Sequence, residues 1–266
     1  MSIAKKRSPW QLYNLVALVI MVLMNILANA LPINGLTTAQ VSDSLPNLFT
    51  PIGFTFAIWG VIYTLLTLFT AFQSGWLPGT RVKGRKTARA VGPWFVISSI
   101  ANSLWIVAWH YQQIVLTVPI MLVILGSLIA IHKRLRQSEA PPLARIAFSV
   151  YLGWISVATI ANVTGALVSV GWDAMGISHV TWTLIVLAVA GVIGVLFLKL
   201  YRDIYFNLVL VWALFGILMQ HFTYHARSYW TIIGLSGGIM ALLLFGIINV
   251  IFDSREPLYL EDEDEA

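Results

Sequence analysis

The stretch Pro46–Leu66, PNLFTPIGFTFAIWGVIYTLL, decides the reading of this chain. It opens as a proline-punctuated loop and runs, without a charge, into an apolar helix carrying Trp59 and Tyr63. Trp and Tyr normally sit at the rim of a bilayer, where one edge of the ring is dry and the other wet. Trp59 instead lies about eight residues inside the span, roughly 12 Å deep at the helical rise of 1.5 Å per residue. A ring at that depth either packs a helical bundle or lines a pocket, and a pure anchor needs neither.

The rest of the chain extends this pattern. Hydrophobic residues make up 59% of the 266 positions and charged residues 10%, against about 25% charged in soluble domains. Apolar runs long enough to cross a hydrocarbon core fall near 10–31, 51–73, 91–109, 113–131, 146–167, 180–198, 204–222 and 229–251. They are continuous and lack the ten-residue alternation of a membrane barrel, so the expected fold is an all-α integral membrane protein, a bundle of about eight transmembrane helices. The first run is not followed by a small-residue cleavage site, which argues against a signal peptide. With no cysteine in the chain, disulfides, thiolate metal sites and cysteine nucleophiles are excluded.

Charge sets the expected orientation. Lys5, Lys6 and Arg7 precede the first span; Arg81, Lys83, Arg85, Lys86 and Arg89 fill the second loop. Lys133, Arg134, Arg136 and Arg145 fill the fourth, and Lys199 and Arg202 the sixth, while the intervening loops carry Asp43, Asp173 and Arg227. The positive-inside rule then puts both termini in the cytoplasm. The absence of an Arg- and Ser-rich amphipathic leader points to the bacterial plasma membrane. The net charge of +5 reflects topology and contact with membrane lipids, and no nucleic-acid partner is expected. The acidic end, Glu261 to Glu265 within 253–266, reads as a solvated, disordered cytoplasmic tail.

The eight runs contain no Asp, Glu, Lys or Arg, groups that proton pumps and ion-coupled carriers place within the membrane. His110 and His221 fall near outer span ends, with His225 beyond, and read as interfacial; no metal site is expected. No nucleophile elbow, phosphate loop or carboxylate pair occurs, so no catalytic residue is assigned and the chain is not expected to be an enzyme.

The polar groups inside the spans are neutral and clustered. In the third, Asn102, Trp105 and Trp109 share one face; in the fifth, Trp154, Ala158 and Asn162 do the same, one turn beyond Tyr151. An unsatisfied amide in hydrocarbon costs several kcal/mol. Asn102 and Asn162 therefore either bond across helices as structural links, worth about 0.6 kcal/mol on average, or flank Trp59, Trp105 and Trp154 around a mainly apolar pocket.

Three blocks resemble the TspO/MBR family, the tryptophan-rich sensory proteins that include the mitochondrial translocator protein. A proline-rich loop leads into Pro51, Phe54, Phe56, Trp59 and Tyr63; an Asn-x-x-Trp motif is Asn102 and Trp105; a Tyr, Trp, Ala and Asn pattern is Tyr151, Trp154, Ala158 and Asn162. Order and spacing agree over about 10–167. The resemblance implies a five-helix unit over 1–167 enclosing an apolar cavity. It also implies a hydrophobic small-molecule ligand, a tetrapyrrole such as protoporphyrin IX or heme, held by Trp59, Tyr63, Asn102, Trp105, Trp154 and Asn162, with no cofactor required. Tryptophan faces suit a flat macrocycle. Two features differ from the shorter members: the first loop lacks a WxxLxKPxWxPP pattern, and three further helices occupy 168–252.

In those helices Trp182 and Trp230 read as belt residues, while Trp212, Asn207 and Asn249 lie within the spans. Gly191 with Gly194, and Gly234 with Gly238, permit close helix approach. No inverted repeat relates the two halves, which disfavours a repeat-built transporter. The functional classes are then a TspO-type binder acting as sensor, receptor, chaperone or conduit, a permease for lipid or another uncharged solute, and a porphyrin-modifying enzyme using Trp59 or Trp154 as redox participants. A ligand-free structural role is the background reading, and a homodimer is compatible with all of these.

Overall fold

Eight apolar helices do form, and their ends are where the sequence places stop and start signals. The computed structural model describes residues 8–31, 33–224 and 228–253. Lys5, Lys6, Arg7, His225, Arg227 and the acidic tail therefore lie outside the described residues. Helix α1 (Pro9–Ala30) begins with proline at its first position, and the Gln11 side chain accepts from the Ser8 N–H at 2.9 Å. A long connection follows, holding the short α2 (Thr38–Asp43) between Thr37 and Ser44. A 3₁₀ turn, Gly53–Ala57, then leads into α3 (Ile58–Ser74), which stops at Gly75 with φ 73°. The cationic α4 (Arg81–Val91) lies outside the apolar set and meets α5 (Trp94–His110) at a bend of 61°. Next come α6 (Ile114–Arg136), α7 (Pro142–Ser169), α8 (His179–Tyr201), α9 (Ile204–Tyr224) and α10 (Trp230–Asp253).

Seven of these, counting 53–74 as one, are long and apolar enough to cross a membrane, and the α4–α5 pair makes up the eighth. The 17-residue α5 is the third expected span, beginning a few residues later than the hydropathy suggested because Gly92 and Pro93 break the chain there.

The core is organised around α7, the span with the largest buried share. Phe69 of α3, Phe95 of α5 and Phe148 of α7 meet edge to face with centroids 5.0–6.0 Å apart, and all three are buried. The last three helices join through α9, which packs along α7 and against the turn that precedes α3. The approach is closest at two glycines. A Cβ on Gly153 would lie 2.9 Å from the Phe206 carbonyl oxygen, and one on Gly216 would lie 2.1 Å from Thr55 Oγ1. Gly191 and Gly194 similarly receive Ile239 and Leu243 of α10. Gly234 and Gly238 do not act this way: nothing lies within 4 Å of a Cβ at either. Asn249 is exposed on α10 rather than buried against the bundle.

Gly153→Ala is expected to destabilise the bundle by about 1–3 kcal/mol, because the new methyl meets backbone rather than a flexible side chain. Gly238→Ala should be close to neutral. Detergent-induced unfolding of the two variants beside wild type checks the difference.

Candidate functional site

Two polar devices inside the bundle dictate where a site can form. In the first, Asn25 Nδ2 of α1 donates to Asn102 Oδ1 at 2.8 Å, and Asn102 Nδ2 donates to the Tyr151 hydroxyl at 3.4 Å. All three are buried, so Asn102 is occupied in tying α1, α5 and α7 together. In the second, Trp105 Nε1 donates to Asn162 Oδ1 at 3.2 Å, and Asn162 Nδ2 donates to Thr117 Oγ1 at 2.6 Å. That link joins α5, α7 and α6.

The second device forms part of the wall of an aromatic cavity under the 31–57 connection. Pro51, Phe56, Trp105, Trp154, Ala158 and Asn162 all line it, so the three sequence blocks converge there. Trp109 also lines it, stacked on Trp105 at 5.0 Å and 18°. Phe56 meets Trp154 edge to face at 5.9 Å. The Trp154 indole N–H is buried and has no acceptor among the described residues. Of the expected ligand-binding residues, Trp105, Trp154 and Asn162 thus reach the cavity. Trp59, Tyr63 and Asn102 do not. Trp59 stacks on Tyr63 at 5.4 Å and meets Trp154 and Tyr151 edge to face at 6.2 and 6.0 Å, so it braces the wall from behind.

The cavity is covered by the connection itself. Val41 of α2 is fully buried against Trp109, Ile114 and Ala166. Trp109 Nε1 donates to the Thr38 carbonyl at 3.1 Å, Asn34 Nδ2 donates to the His110 carbonyl at 3.1 Å, and Thr38 Oγ1 lies 3.4 Å from His110 Nε2. On the other side α9 holds the same connection. His221 Nε2 lies 2.8 Å from the Leu48 carbonyl, Ile52 N–H donates to the Gly216 carbonyl at 3.1 Å, and Trp212 Nε1 donates to the Thr55 carbonyl at 2.9 Å. His110 and His221, expected to be interfacial, are buried: the His221 ring meets loop backbone at Leu48, whereas the His110 ring lies against the Thr38 hydroxyl and the Ile106 carbonyl of its own helix. With the connection seated, the free volume is about 70 Å³, below the ~300 Å³ at which small-molecule pockets begin.

Sequence reasoning missed a further cluster at the opposite, arginine-rich end. The two-residue link between α8 and α9 buries Asp203, which accepts from the Ser149 hydroxyl at 2.6 Å and from the Phe206 N–H at 3.1 Å, and pairs with His132 Nε2 at 2.9 Å. Burial by itself would raise this carboxyl. The hydrogen bonds from His132, Ser149 and Phe206, with the attraction of His132, outweigh it and hold the group below its ordinary value of 3.8. Ser149 bonds the carboxylate rather than His132, so the trio is not a nucleophile–base arrangement. The available signal was an Asp between two apolar runs with almost no linker, where it must cap the second helix.

A family model described as TSPO-like protein matches residues 11–250, so the likeness continues through α8–α10 instead of ending near 167. No curated protein and no solved structure matches the chain.

Removing either end of the Asn162–Thr117 bond should cost about 1–3 kcal/mol, since the partner is left unsatisfied. A cycle of Asn162→Leu, Thr117→Val and the double variant, read by unfolding in bicelles, should return a coupling of about 0.6–1.7 kcal/mol. Because the folded Asp203 carboxyl is depressed, its contribution is complete above its unfolded value and is lost as pH falls through the lower folded one. Melting temperature should therefore drop on acidification below the ordinary 3.8, and less steeply in Asp203→Asn, which starts less stable.

Proposed function

Since this chain belongs to the TspO/MBR family, as a TSPO-like member, we propose that it is a receptor or conduit for a flat hydrophobic molecule bound in the aromatic cavity. The observation that carries this reading is the convergence of the three sequence blocks on one cavity walled by Trp105, Trp109 and Trp154. The stacked indoles offer π faces at the low entropic cost of two-torsion side chains. The unpaired Trp154 N–H supplies a donor for an acceptor on the ligand, and the amide of Asn162 fixes the ring of Trp105. A tetrapyrrole such as protoporphyrin IX or heme is the ligand class this reading favours. Such a ligand requires the 31–57 connection to lift, because the seated cavity of about 70 Å³ is smaller than a macrocycle. The positive-inside pattern supports an orientation with both termini in the cytoplasm, and on that reading the cavity faces the outer side of the membrane, which we take to be a bacterial plasma membrane. No catalytic role is assigned to the chain.

A seated cover lowers apparent affinity by the fraction of molecules that are open. Asn34 has φ 56°, so Asn34→Gly keeps the backbone conformation while deleting the bond to His110.

Protoporphyrin IX titrated into detergent-solubilised protein, followed by porphyrin fluorescence, is expected to saturate. Trp105→Leu and Trp154→Leu should each weaken binding by about two- to tenfold, Trp59→Leu less, and Asn34→Gly should tighten it by a similar factor. Unsaturable partitioning that is identical in every folded variant would sink the proposal.

A further inference from the structure

We propose that the arginine-rich end carries a second binding site, a cavity for the phosphate headgroup of an anionic membrane lipid. Between α6, α7, α10 and the start of α9 lies a space of about 460 Å³, within the size range of ligand pockets. It is the larger of the two cavities described and is separate from the aromatic one: the two share no lining residue.

Its polar lining has one sign in excess. Arg136, Arg145 and Arg202 come to it from three different elements, and all three are exposed. Among the described residues neither Arg136 nor Arg145 has a carboxylate within ion-pair distance. Arg136 lies over the Tyr201 ring at 5.3 Å, and Arg145 spends one N–H on the Ser138 carbonyl at 3.0 Å. Each fork has five N–H donors, so both retain donors for an anion. Arg202 pairs with Asp253 at 3.3 Å. The carboxylate on the lining, Asp203, already accepts from Ser149 and Phe206 and pairs with His132, so it is screened from an incoming anion. Planar forks on a rigid frame are suited to the paired oxygens of a phosphate.

The remainder of the wall distinguishes a lipid from a free phosphate. Leu135, Ile204, Val250 and Ile251 make it mainly apolar. Ile251 and Tyr205 are exposed and run on to Ile248 and Phe252, exposed on the outer face of α10. An acyl chain can follow that surface while its headgroup meets the arginines, whereas inorganic phosphate would gain nothing from it. The site also lies at the end where the apolar spans give way to cationic segments, the depth of a headgroup, and basic pockets between transmembrane helices at that level are suited to anionic lipids.

The test is native mass spectrometry and thermal unfolding of the full chain in neutral detergent with phosphatidylglycerol, with phosphatidylcholine, or with excess inorganic phosphate. Phosphatidylglycerol should be retained and stabilising, phosphatidylcholine should not, and inorganic phosphate should not substitute for it. In Arg136→Gln/Arg145→Gln the phosphatidylglycerol affinity should fall at least about tenfold. Ile251→Glu, which leaves the arginines in place and charges the path of the chain, should lose lipid retention as well. Both variants should keep wild-type protoporphyrin binding, so failure here and failure of the aromatic-cavity reading are separable. Equal retention of the two lipids, unchanged lipid affinity in folded variants, or full stabilisation by inorganic phosphate alone would each overturn the proposal.

Discussion

The arrangement depends on how closely the backbone of α9 can approach α7. Between helices in lipid the drive to associate comes from van der Waals contact and hydrogen bonding rather than from hiding apolar surface. Gly153 removes the one Cβ that would hold the helices apart at Phe206. With that gap closed, α7 has neighbours on several sides and can be buried along most of its length. Tyr151, Trp154 and Asn162, spaced along α7, are then held at fixed depths inside the bundle.

Neutral amides do double duty under this constraint. Each must be satisfied because no water reaches it, and the way it is satisfied determines whether it can also serve a ligand. Asn102 gives its amide to Tyr151 and its oxygen to Asn25, and thereby becomes a strut. Asn162 is equally engaged, with Trp105 and Thr117, yet it lines the aromatic cavity because its partner is itself a wall residue. The two readings left open by the sequence, link or pocket, thus divide between two asparagines that look alike in their motifs.

Span number, span placement and the motif blocks were legible because they rest on hydropathy, charge asymmetry and spacing along a single helix. Trp105, Trp154 and Asn162, which line the aromatic cavity, each lie on a one-face stripe readable along a single helix. Trp59 and Tyr63 belong to an equally clear stripe, but which neighbour a stripe meets is set by helix order and rotation, and here they meet Trp154 from behind. His132 and Asp203 were illegible from span composition, being 71 positions apart and each near the end of an apolar run. Gly234 and Gly238 show the converse limit. Small residues permit close approach, but only a partner helix at that height uses it.

The three added helices have a role that follows from the reach of α9. Its first turn is capped by Asp203, which His132 and Ser149 bind at the arginine-rich end. From its middle onward, Trp212, Gly216 and His221 hold Thr55, Ile52 and Leu48 of the connection over the aromatic cavity. At 1.5 Å per residue its 21 residues span about 30 Å, nearly the full hydrocarbon thickness. A helix docked this tightly at Gly153 and Gly216 holds its two ends in fixed relation to α7. In this chain Pro51 and Thr55 sit against a glycine of α9, while the α2 flank of the cavity cover is held by buried Val41 and by the hydrogen bonds of Trp109, Asn34 and Thr38.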